Sequence, residues 1–543
     1  MRRVKYTGKV KLYNHNLSYR NFYSGEIGEL RPVWLEDGVP GDQVTYTPEV
    51  RAYFAPLVFP VLSSLKCRID VWFVPNRLAW TEWDSFITGG PDNNLSPAYP
   101  SVRHLYDSLP STTKPEFNAW FVPAVSVQNS IFDNLGLSYW DTTTPPQVAD
   151  LPYDMIPFYD YLLIYDENYR DEEKETSITS YGGIRRDVYD VFQNTTTWSL
   201  IENINNGLLR KAWAKDYFTT ASLQQQRGGD IPLLSNPMFQ YVDGSSFDSQ
   251  SRSLNVSGSS STIVGGSGGP GDLFSLVGSS PGTATALESV LTINGLANLR
   301  AAAAYLNNNV IGGTRHIEVL QHRYHVVSAD ARLQRPELVG STNININIDV
   351  VTQTSSTVED SDVLQPLGDR AGKASIVGRG RSMSYGVQEF GYFMAILHVA
   401  PKAAYFQGIR RNLQREDKFD FYTPEFVNTP QQEIRNNEIF LNGTTDAPET
   451  GGVFGYTGRY NEYRHHNDEV HGAFRGSLLA WTFARKFSAL PSVGSLDFIK
   501  VDSTSDGNNR VFAAPDSEDG HIFGVVNNIV SFRRTLRSSE PQF

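Results

Sequence analysis

Six histidines fall in two short stretches and are the first residues that could suggest a metal site. They are His316, His322 and His325 in the first stretch, and His465, His466 and His471 in the second. A zinc site needs imidazole nitrogens that converge on one point. His322 and His325 stand in a segment that alternates like a β-strand, where residues i and i+3 point to opposite faces. The second stretch contains Asn467 and Asp468 and fits a turn, so we predict turn or interface residues rather than metal ligands.

Carboxylates crowd one segment and could suggest glycoside hydrolysis, which needs two of them facing one another across a sugar. They are Asp166, Glu167, Asp171, Glu172 and Glu173. Leu151–Lys174 has helical periodicity, and Arg170 and Lys174 stand beside the acids, which favours a solvated charged face. One Gly-x-Ser-x-Gly match, Gly265–Gly269, lies in Gly/Ser-rich sequence without the strand and helix that a nucleophile elbow needs. The sequence therefore predicts no catalytic residues, no metal site and no cofactor, and thus no enzyme.

Basic side chains gather at both ends of the chain and are the candidates for contact with DNA. They are Arg2, Arg3, Lys5, Lys9 and Lys11 at the N-terminus, and Arg533, Arg534 and Arg537 near the C-terminus. Such groups neutralise phosphates without reading base sequence, and interleaved aromatics such as Tyr13 and Phe22 could stack on unpaired bases. Solvated tails, or arms that lie across a neighbouring subunit, would explain the same charges. We predict a basic N-terminal arm over residues 1–24.

The composition favours a large and mainly β protein. Of the 543 residues, 20% are charged and 12% aromatic, and the 44 glycines and 29 prolines suit short strands joined by turns. A net charge of −12 argues against a surface that binds nucleic acid everywhere. The single cysteine, Cys67, excludes an internal disulfide framework. No apolar run suits a membrane span or a signal peptide, so no membrane insertion is expected.

Periodicity along the chain predicts the elements that would position these residues. Cys67 to Phe73 alternates up to Pro75, and Ile344 to Val350 alternates with Asn and Asp, which is typical of strands with one buried face. Gly391–Val399 is continuously apolar, as in a strand buried on both faces. Leu291–Asn309 has a helical period, which Gly312–Gly313 would end.

Two further segments are predicted to be flexible. Gly372–Ser384 is polar and has three basic side chains spaced along it. Residues 228–283 are rich in Gly and Ser, and such a segment buries too little apolar surface to offset its ordering entropy. We expect a surface loop or partial disorder there.

Blocks in one order along the chain resemble the major capsid protein of the Microviridae, small single-stranded-DNA bacteriophages, on their gokushovirus-like branch. They include LRPVWLEDGVPGD, WFVPNRLAWTEWDSF, GGTRHIEVL with DARLQRPELVGST, EFGYFMAILHVAP, YFQGIRR, KFDFYTPEF and FGYTGRYNEYRHHNDEVHGAFR. The resemblance implies an eight-stranded antiparallel jelly roll, a viral capsid β-sandwich with long loop insertions and a few short helices. It implies one capsid domain over residues 25–543, with variable surface insertions at residues 88–150 and 228–290.

The resemblance also implies a structural function. The chain would self-assemble through pentamers into a T=1 icosahedral shell around a circular single-stranded DNA genome, in the cytoplasm of a bacterial host. The implied partners are an internal scaffolding protein, a DNA pilot protein, a small DNA-binding protein and a host surface receptor. Because interfaces are enriched in large aromatic residues, the candidates for subunit contacts are Trp80, Trp83, Tyr463 and Trp481.

The alternative is a carbohydrate-binding or carbohydrate-active jelly-roll protein, which the Trp and Tyr content and the crowded carboxylates would suit. Such a protein should be a monomer or a small oligomer with a sugar-binding cleft. A capsid protein should form particles of megadalton size, so the oligomeric state separates the two.

Overall fold

The computed structural model describes residues 11–90, 95–115, 117–118, 130–137, 151–181, 184–193, 208–225, 252–256, 259–263, 300–302, 304–306, 312–313, 315–352, 370–427, 431–441, 452–517 and 519–536. The chain forms two compact units. One comprises Met1–Leu223 and Tyr324–Phe543, and the other comprises Gln224–Arg323.

Among the described residues, more lie in strands than in helices. The strands are β1 (Tyr13–Asn16), β2 (Tyr19–Gly25), β3 (Arg31–Gly38), β4 (Gln43–Phe54), β5 (Leu65–Pro75), β6 (Ser180–Tyr181), β7 (Ile184–Arg185), β8 (Arg252–Val256), β9 (Ser259–Ile263), β10 (Glu337–Ile344), β11 (Ile346–Thr352), β12 (Arg370–Arg379), β13 (Met383–Gly386), β14 (Gly391–Pro401), β15 (Ala404–Tyr405), β16 (Gln432–Arg435), β17 (Val453–Thr457), β18 (Asp468–Glu469) and β19 (Ile522–Arg534). The α-helices are α1 (Asn76–Ala79), α2 (Trp83–Thr88), α3 (Val102–Ser108), α4 (Ile131–Asn134), α5 (Ile156–Asn168), α6 (Val188–Gln193), α7 (His316–Tyr324), α8 (Asn436–Ile439) and α9 (Leu496–Ile499). Short 3-10 helices span Arg411–Leu413, Lys418–Asp420, Pro424–Phe426, Asn461–Tyr463, Gly472–Arg475, Leu479–Trp481 and Asn508–Val511.

Two antiparallel sheets form the eight-stranded jelly roll that was predicted. The larger sheet contains the order β2-β19-β4-β12, and the smaller sheet has the order β3-β14-β5-β10. Along the chain these eight strands pass back and forth between the two sheets in Greek-key connections, which is the jelly-roll topology. Strands β1, β11 and β13 widen the larger sheet to seven strands.

The first hydrophobic core lies between the two sheets. Cys67, Ile69, Val71 and Phe73 of β5 point into it and are at most 1% exposed, which confirms the strand predicted from their alternation. The larger sheet contributes every second residue of β4, β12 and β19. In the middle of this core the rings of Trp34 and Tyr46 stack with their centroids 4.2 Å apart.

A layer of helices covers the other face of the smaller sheet. Helix α5 is buried over most of its length and packs in a second core with Trp72 and Val74 of β5 and with Met394 and Ile396 of β14. Helices α3, α4 and α6 add further apolar side chains to this core. Strand β14 is therefore buried on both faces, as the continuous apolar run predicted.

The larger sheet differs because its second face is exposed. Phe22, Tyr53, Val377 and Phe523 point away from the core and are 75%, 56%, 53% and 41% exposed. Among the described residues no helical layer covers them. The first unit thus has three layers, and one sheet face has no partner layer within the described chain.

The structure differs from the predicted boundaries at two places. The described part of the predicted arm over residues 1–24 forms β1 and β2, which pair with β19, so the sheet already begins at Tyr13. Residues 88–150 contribute Leu105, Phe117 and Phe132 to the second core, so the described part of this predicted surface insertion is partly internal. Within residues 228–290, the hairpin of β8 and β9 is described, and the rest of the predicted insertion lies outside the described residues.

Two local predictions differ from the structure. Gly372–Ser384 lies largely in β12 and β13 rather than in a flexible segment. The Asn/Ile alternation is broken at Asn345, because β10 pairs with β5 in the smaller sheet while β11 pairs with β12 in the larger one. Most of the predicted helix over residues 291–309 lies outside the described residues. No described helix has the length and apolarity needed to cross a membrane.

Candidate functional site

Strand pairing brings the two basic ends of the chain together. Strand β1 pairs with the C-terminal end of β19, so Tyr13 lies opposite Arg534 and Asn14 lies opposite Arg533. The Lys11 ammonium is 5.1 Å from the centroid of the Tyr13 ring. The chain therefore enters the sheet beside its own C-terminal basic residues. The candidates Arg2, Arg3, Lys5, Lys9 and Arg537 lie outside the described residues.

Arg533 and Arg534 differ in their exposure and in how far nearby carboxylates neutralise their charges. Arg533 is exposed, and its guanidinium donates to the side-chain oxygen of Gln43 at 3.1 Å. The Arg534 side chain is only 17% exposed, donates to Asp42 at 2.7 Å and lies 3.6 Å from Asp37. Two carboxylates within the chain compensate the Arg534 charge, so we correct its assignment as a DNA contact and retain Arg533.

Trp80 requires a correction among the interface candidates. It is 0% exposed and packs in the second core, with its ring 5.3 Å from Phe86 and 5.8 Å from Tyr99. A side chain enclosed by its own chain cannot contact a neighbouring subunit without unfolding that core. Trp83 is half-buried, and its ring lies 6.5 Å from that of Trp80, so it remains a candidate.

Tyr463 lies in a group of exposed apolar side chains that we call the aromatic patch. Its members are Phe421, Tyr422 and Tyr463, which are 49–53% exposed, and the rings of Tyr422 and Tyr463 lie 6.1 Å apart. The Arg415 guanidinium donates to the Tyr463 hydroxyl and lies 4.6 Å from the centroid of the Phe421 ring. Large exposed patches of this kind mark interaction sites. Trp481 is half-buried and stacks on Phe59 at 5.3 Å.

The histidine stretches are placed differently from the prediction. His322 lies in helix α7 rather than in a strand, and His325 follows the helix with a φ of 55°. The opposite-face argument for these two residues is therefore wrong. His465, His466 and His471 line a cleft of about 290 Å³, and His471 lies 3.3 Å from Glu469. Within the described residues, no three His, Cys, Asp or Glu side chains are grouped so as to hold a metal ion.

The crowded carboxylates each have a partner of their own. Asp166 is buried, pairs with Arg170, and accepts hydrogen bonds from the backbone and hydroxyl groups of Thr179. This corrects the predicted solvated face at that position. Glu173 accepts from the backbone N–H of Leu223 at 2.9 Å. These contacts are those of a structural network, so the observation that favoured a carbohydrate-active protein loses its force.

The alternation of strand β4 contained a signal that the sequence analysis missed. Arg51 and Tyr53 alternate with Val50, Ala52 and Phe54, which places them on the exposed face of the larger sheet. Without knowledge of its partner strands, this short pattern indicates only an amphipathic strand. Pairing with β19 and β12 shows that other basic and aromatic residues share the same face.

Comparison with known proteins agrees with the fold. The sequence model of a family described as capsid protein (F protein) matches residues 5–541. Capsid protein VP1 of Bdellovibrio phage phiMH2K is 29% identical over 532 residues, which cover 93% of this chain and 90% of that protein. Capsid protein VP1 of Chlamydia phage 1 is 27% identical over 565 residues, with 91% and 89% covered. Capsid protein VP1 of Spiroplasma virus 4 is 23% identical over 529 residues, with 90% and 87% covered. The chain therefore belongs to the phage capsid protein (F protein) family.

Proposed function

We propose that the chain assembles through pentamers into a T=1 icosahedral shell around a circular single-stranded DNA genome. The capsid role itself follows from the family, since a phage capsid protein self-assembles into a shell that encloses the genome. The observation that supports assembly through pentamers into a T=1 shell is the family match over residues 5–541, which includes every strand of the jelly roll. A closed shell needs repeated identical contacts with point-group symmetry.

Particle formation tests this proposal directly. The full chain would be expressed alone and with the proposed internal scaffolding protein, then studied by sedimentation and negative-stain imaging. We expect uniform spherical particles of T=1 size, or pentameric precursors that form them. A chain that stays monomeric under both conditions would contradict the proposal.

The further partners are proposals that rest on the resemblance to Microviridae. They are an internal scaffolding protein, a DNA pilot protein, a small DNA-binding protein and a host surface receptor, with assembly in the cytoplasm of the bacterial host. Pull-down of each phage protein with assembled particles and with pentamers would separate scaffolding partners from permanent virion components. A scaffolding protein should bind precursors and be absent from mature particles.

We also propose that the basic chain ends contact the genome. Lys11 and Arg533 lie at the paired ends of β1 and β19, and Arg2, Arg3 and Lys5 precede them in sequence. Their charges would neutralise phosphates without selecting a base sequence. Since β1 pairs with the C-terminal end of β19 at one edge of the larger sheet, a single stretch of DNA backbone could reach Lys11 and Arg533 together.

Deleting residues 1–11 tests the role of the chain ends. The described contacts of the sheet begin at Tyr13, so shells should still form, while the amount of packaged DNA should fall because five basic side chains are lost. The salt slope of DNA binding should fall by about 0.7 for each phosphate contact removed. Absorbance ratios and nuclease-protected DNA per particle measure the effect, and an unchanged DNA content in intact particles would contradict it.

A further inference from the structure

The exposed face of the larger sheet has a composition that solubility alone does not require. We call it the outer face and define it by the outward residues of β1, β2, β4, β11, β12 and β19. Its charged and aromatic members are Arg20, Phe22, Glu49, Arg51, Tyr53, Asp349, Lys373, Arg379, Phe523 and Arg533. The smaller sheet has no comparable face, because helices cover it.

Strand register joins these residues into rows across the sheet. Phe523 lies opposite Tyr53, so an aromatic pair spans β19 and β4. Arg51 lies opposite Val525, which in turn faces Phe22 on β2. Side chains opposite one another in an antiparallel pair are about 4.5–5.5 Å apart at Cβ. The rings and the guanidinium groups therefore lie on one continuous surface rather than at scattered positions.

The outer face is basic on an acidic protein. Five of its side chains are basic and two, Glu49 and Asp349, are acidic, whereas the whole chain has a net charge of −12. The Glu49 carboxylate accepts hydrogen bonds from Asn527 at 3.2 Å and from Arg51 at 3.4 Å. The hydrogen bond from Asn527 is the main cause of the lowered pKa of Glu49. Asp349 lies opposite Lys373. Neither acid is isolated from basic side chains, so the face as a whole attracts anions.

The aromatic residues of the outer face expose large apolar surfaces, which mark sites of interaction. Phe22, Tyr53 and Phe523 present 75%, 56% and 41% of their surface to solvent. The Lys373 ammonium lies 5.9 Å from the centroid of the Tyr53 ring, so a cation and a ring already neighbour each other. A cleft of about 1070 Å³ opens at the β2 end of the face, where Phe22, Tyr53 and Phe523 line it together with residues of β3 and residues 133–136. It exceeds the roughly 300–1,000 Å³ of common small-molecule sites.

We propose that the outer face binds single-stranded DNA, with its rings stacked on unpaired bases and its basic side chains on phosphates. An open sheet with exposed aromatics and basic residues is a general solution for binding unpaired nucleic acid. The inference rests on the proposed function, a shell around single-stranded DNA. It extends the proposed DNA contact from the chain ends, where Arg533 lies, across the larger sheet, and it implies that the larger sheet faces the interior of the shell.

Oligonucleotide binding by the unassembled full chain tests the proposal. The probe is a dye-labelled thymidine oligonucleotide, and fluorescence anisotropy gives the affinity at several salt concentrations. We expect the double variant Tyr53→Ser with Phe523→Ser to bind at least about tenfold more weakly, since each stacked base depends on a ring. Arg51→Ala with Arg379→Ala should lower the slope of log affinity against log salt by about 0.7 for each lost contact.

Matched controls lie elsewhere on the surface. Tyr422→Ser removes a ring that is 53% exposed, close to the 56% of Tyr53. Lys402→Ala removes a cation that is 57% exposed and pairs with Asp468. It matches Arg51, which is 65% exposed and pairs with Glu49. Both controls should bind the oligonucleotide like the unaltered chain. Tyr53→Phe should retain affinity, because it keeps the ring, and thermal melting would show that the face variants remain folded.

Three results would overturn the proposal. One is unchanged affinity in the face variants, and another is equal binding of a duplex of the same length, which offers no unpaired base to stack. The third is loss of self-association at unchanged DNA affinity, which would identify the outer face as a contact with a second copy of the chain. Failure of the unaltered chain to form particles would instead contradict the proposed shell, so the two failures are distinguishable.

Discussion

Asp160 in helix α5 is buried in the second core without a compensating contact. Its side chain is 0% exposed, and neither carboxylate oxygen has a hydrogen-bond partner among the described residues. Burial, and to a lesser degree the nearby Asp154 carboxylate, raises the pKa of Asp160 well above its ordinary value. The folded chain therefore holds a proton that the unfolded chain releases above about pH 3.9, and stability falls as the pH rises through that window.

The variant Asp160→Asn should remove this dependence on pH. Its melting temperature relative to the unaltered chain should rise as the pH goes from 4 to 8, because the amide cannot lose a proton. Thermal unfolding of the unassembled subunit measures the difference. A difference in melting temperature between the variant and the unaltered chain that stays constant from pH 4 to 8 would contradict a raised pKa of Asp160.

Asp154 provides a control within the same core. Its carboxylate accepts from the hydroxyls of Tyr99 and Tyr392 and from the backbone N–H of Ile156, at 2.7–2.9 Å. Asp154→Asn should destabilise the fold by about 1–3 kcal/mol, because three donors lose their charged acceptor. At pH 8, Asp160→Asn should therefore raise the stability of the subunit and Asp154→Asn should lower it.

At the scale of elements, strand β14 depends on close contact with its neighbours. A Cβ on Gly391 would meet the backbone carbonyl of Val74 and the ring of Phe73. Gly391→Ala should therefore cost about 1–3 kcal/mol through overpacking. Gly386, at the end of β13, has nothing within 4 Å of the same position, so Gly386→Ala should change stability by less than about 0.5 kcal/mol.

Chemical denaturation of the two glycine variants checks this contrast. Both residues lie at the ends of strands that pair antiparallel, so helix or strand propensity affects them similarly. Equal effects in the two variants would show that the contact with Val74 does not limit the packing of β14.

An element could be predicted from sequence where the pattern of its own residues reports how it is buried. β5 and β14 were predictable because their alternation and continuous apolarity report burial directly. β12 was missed because Gly372, Lys373 and Arg379 make it look polar, although Ala374 and Ile376 face the core. Helix α7 was taken for a strand because a short segment with few apolar residues has no decisive period.

At the scale of the whole molecule, we propose the aromatic patch as a surface for contacts between subunits. A surface of three aromatic side chains, each about half exposed, is costly in water unless a neighbour covers it. Tyr463, predicted from sequence as an interface residue, lies within this patch. Trp83 and Trp481 are half-buried and remain secondary candidates.

We expect Tyr463→Ser with Phe421→Ser to impair assembly without unfolding the subunit. The protein concentration needed for half-maximal particle formation should rise at least tenfold, which corresponds to about 1.4 kcal/mol. Light scattering against concentration measures this threshold. Ile184→Ser removes a 59% exposed apolar side chain outside the patch and serves as the control. Equal thresholds for both variants would place the interface elsewhere.

The sequence by itself determined the family, the mainly β character and several strands, because ordered blocks and short-range periodicity are local properties of the chain. It also identified the two basic ends. Only the tertiary structure decided that these ends are paired, that Trp80 is internal, and that Arg51, Tyr53, Lys373 and Phe523 share one exposed face. These relations join residues hundreds of positions apart, and they arise from which strands pair and in which register. No local pattern contains that information, since alternation shows that a strand has two faces but not what lies beside it or over it.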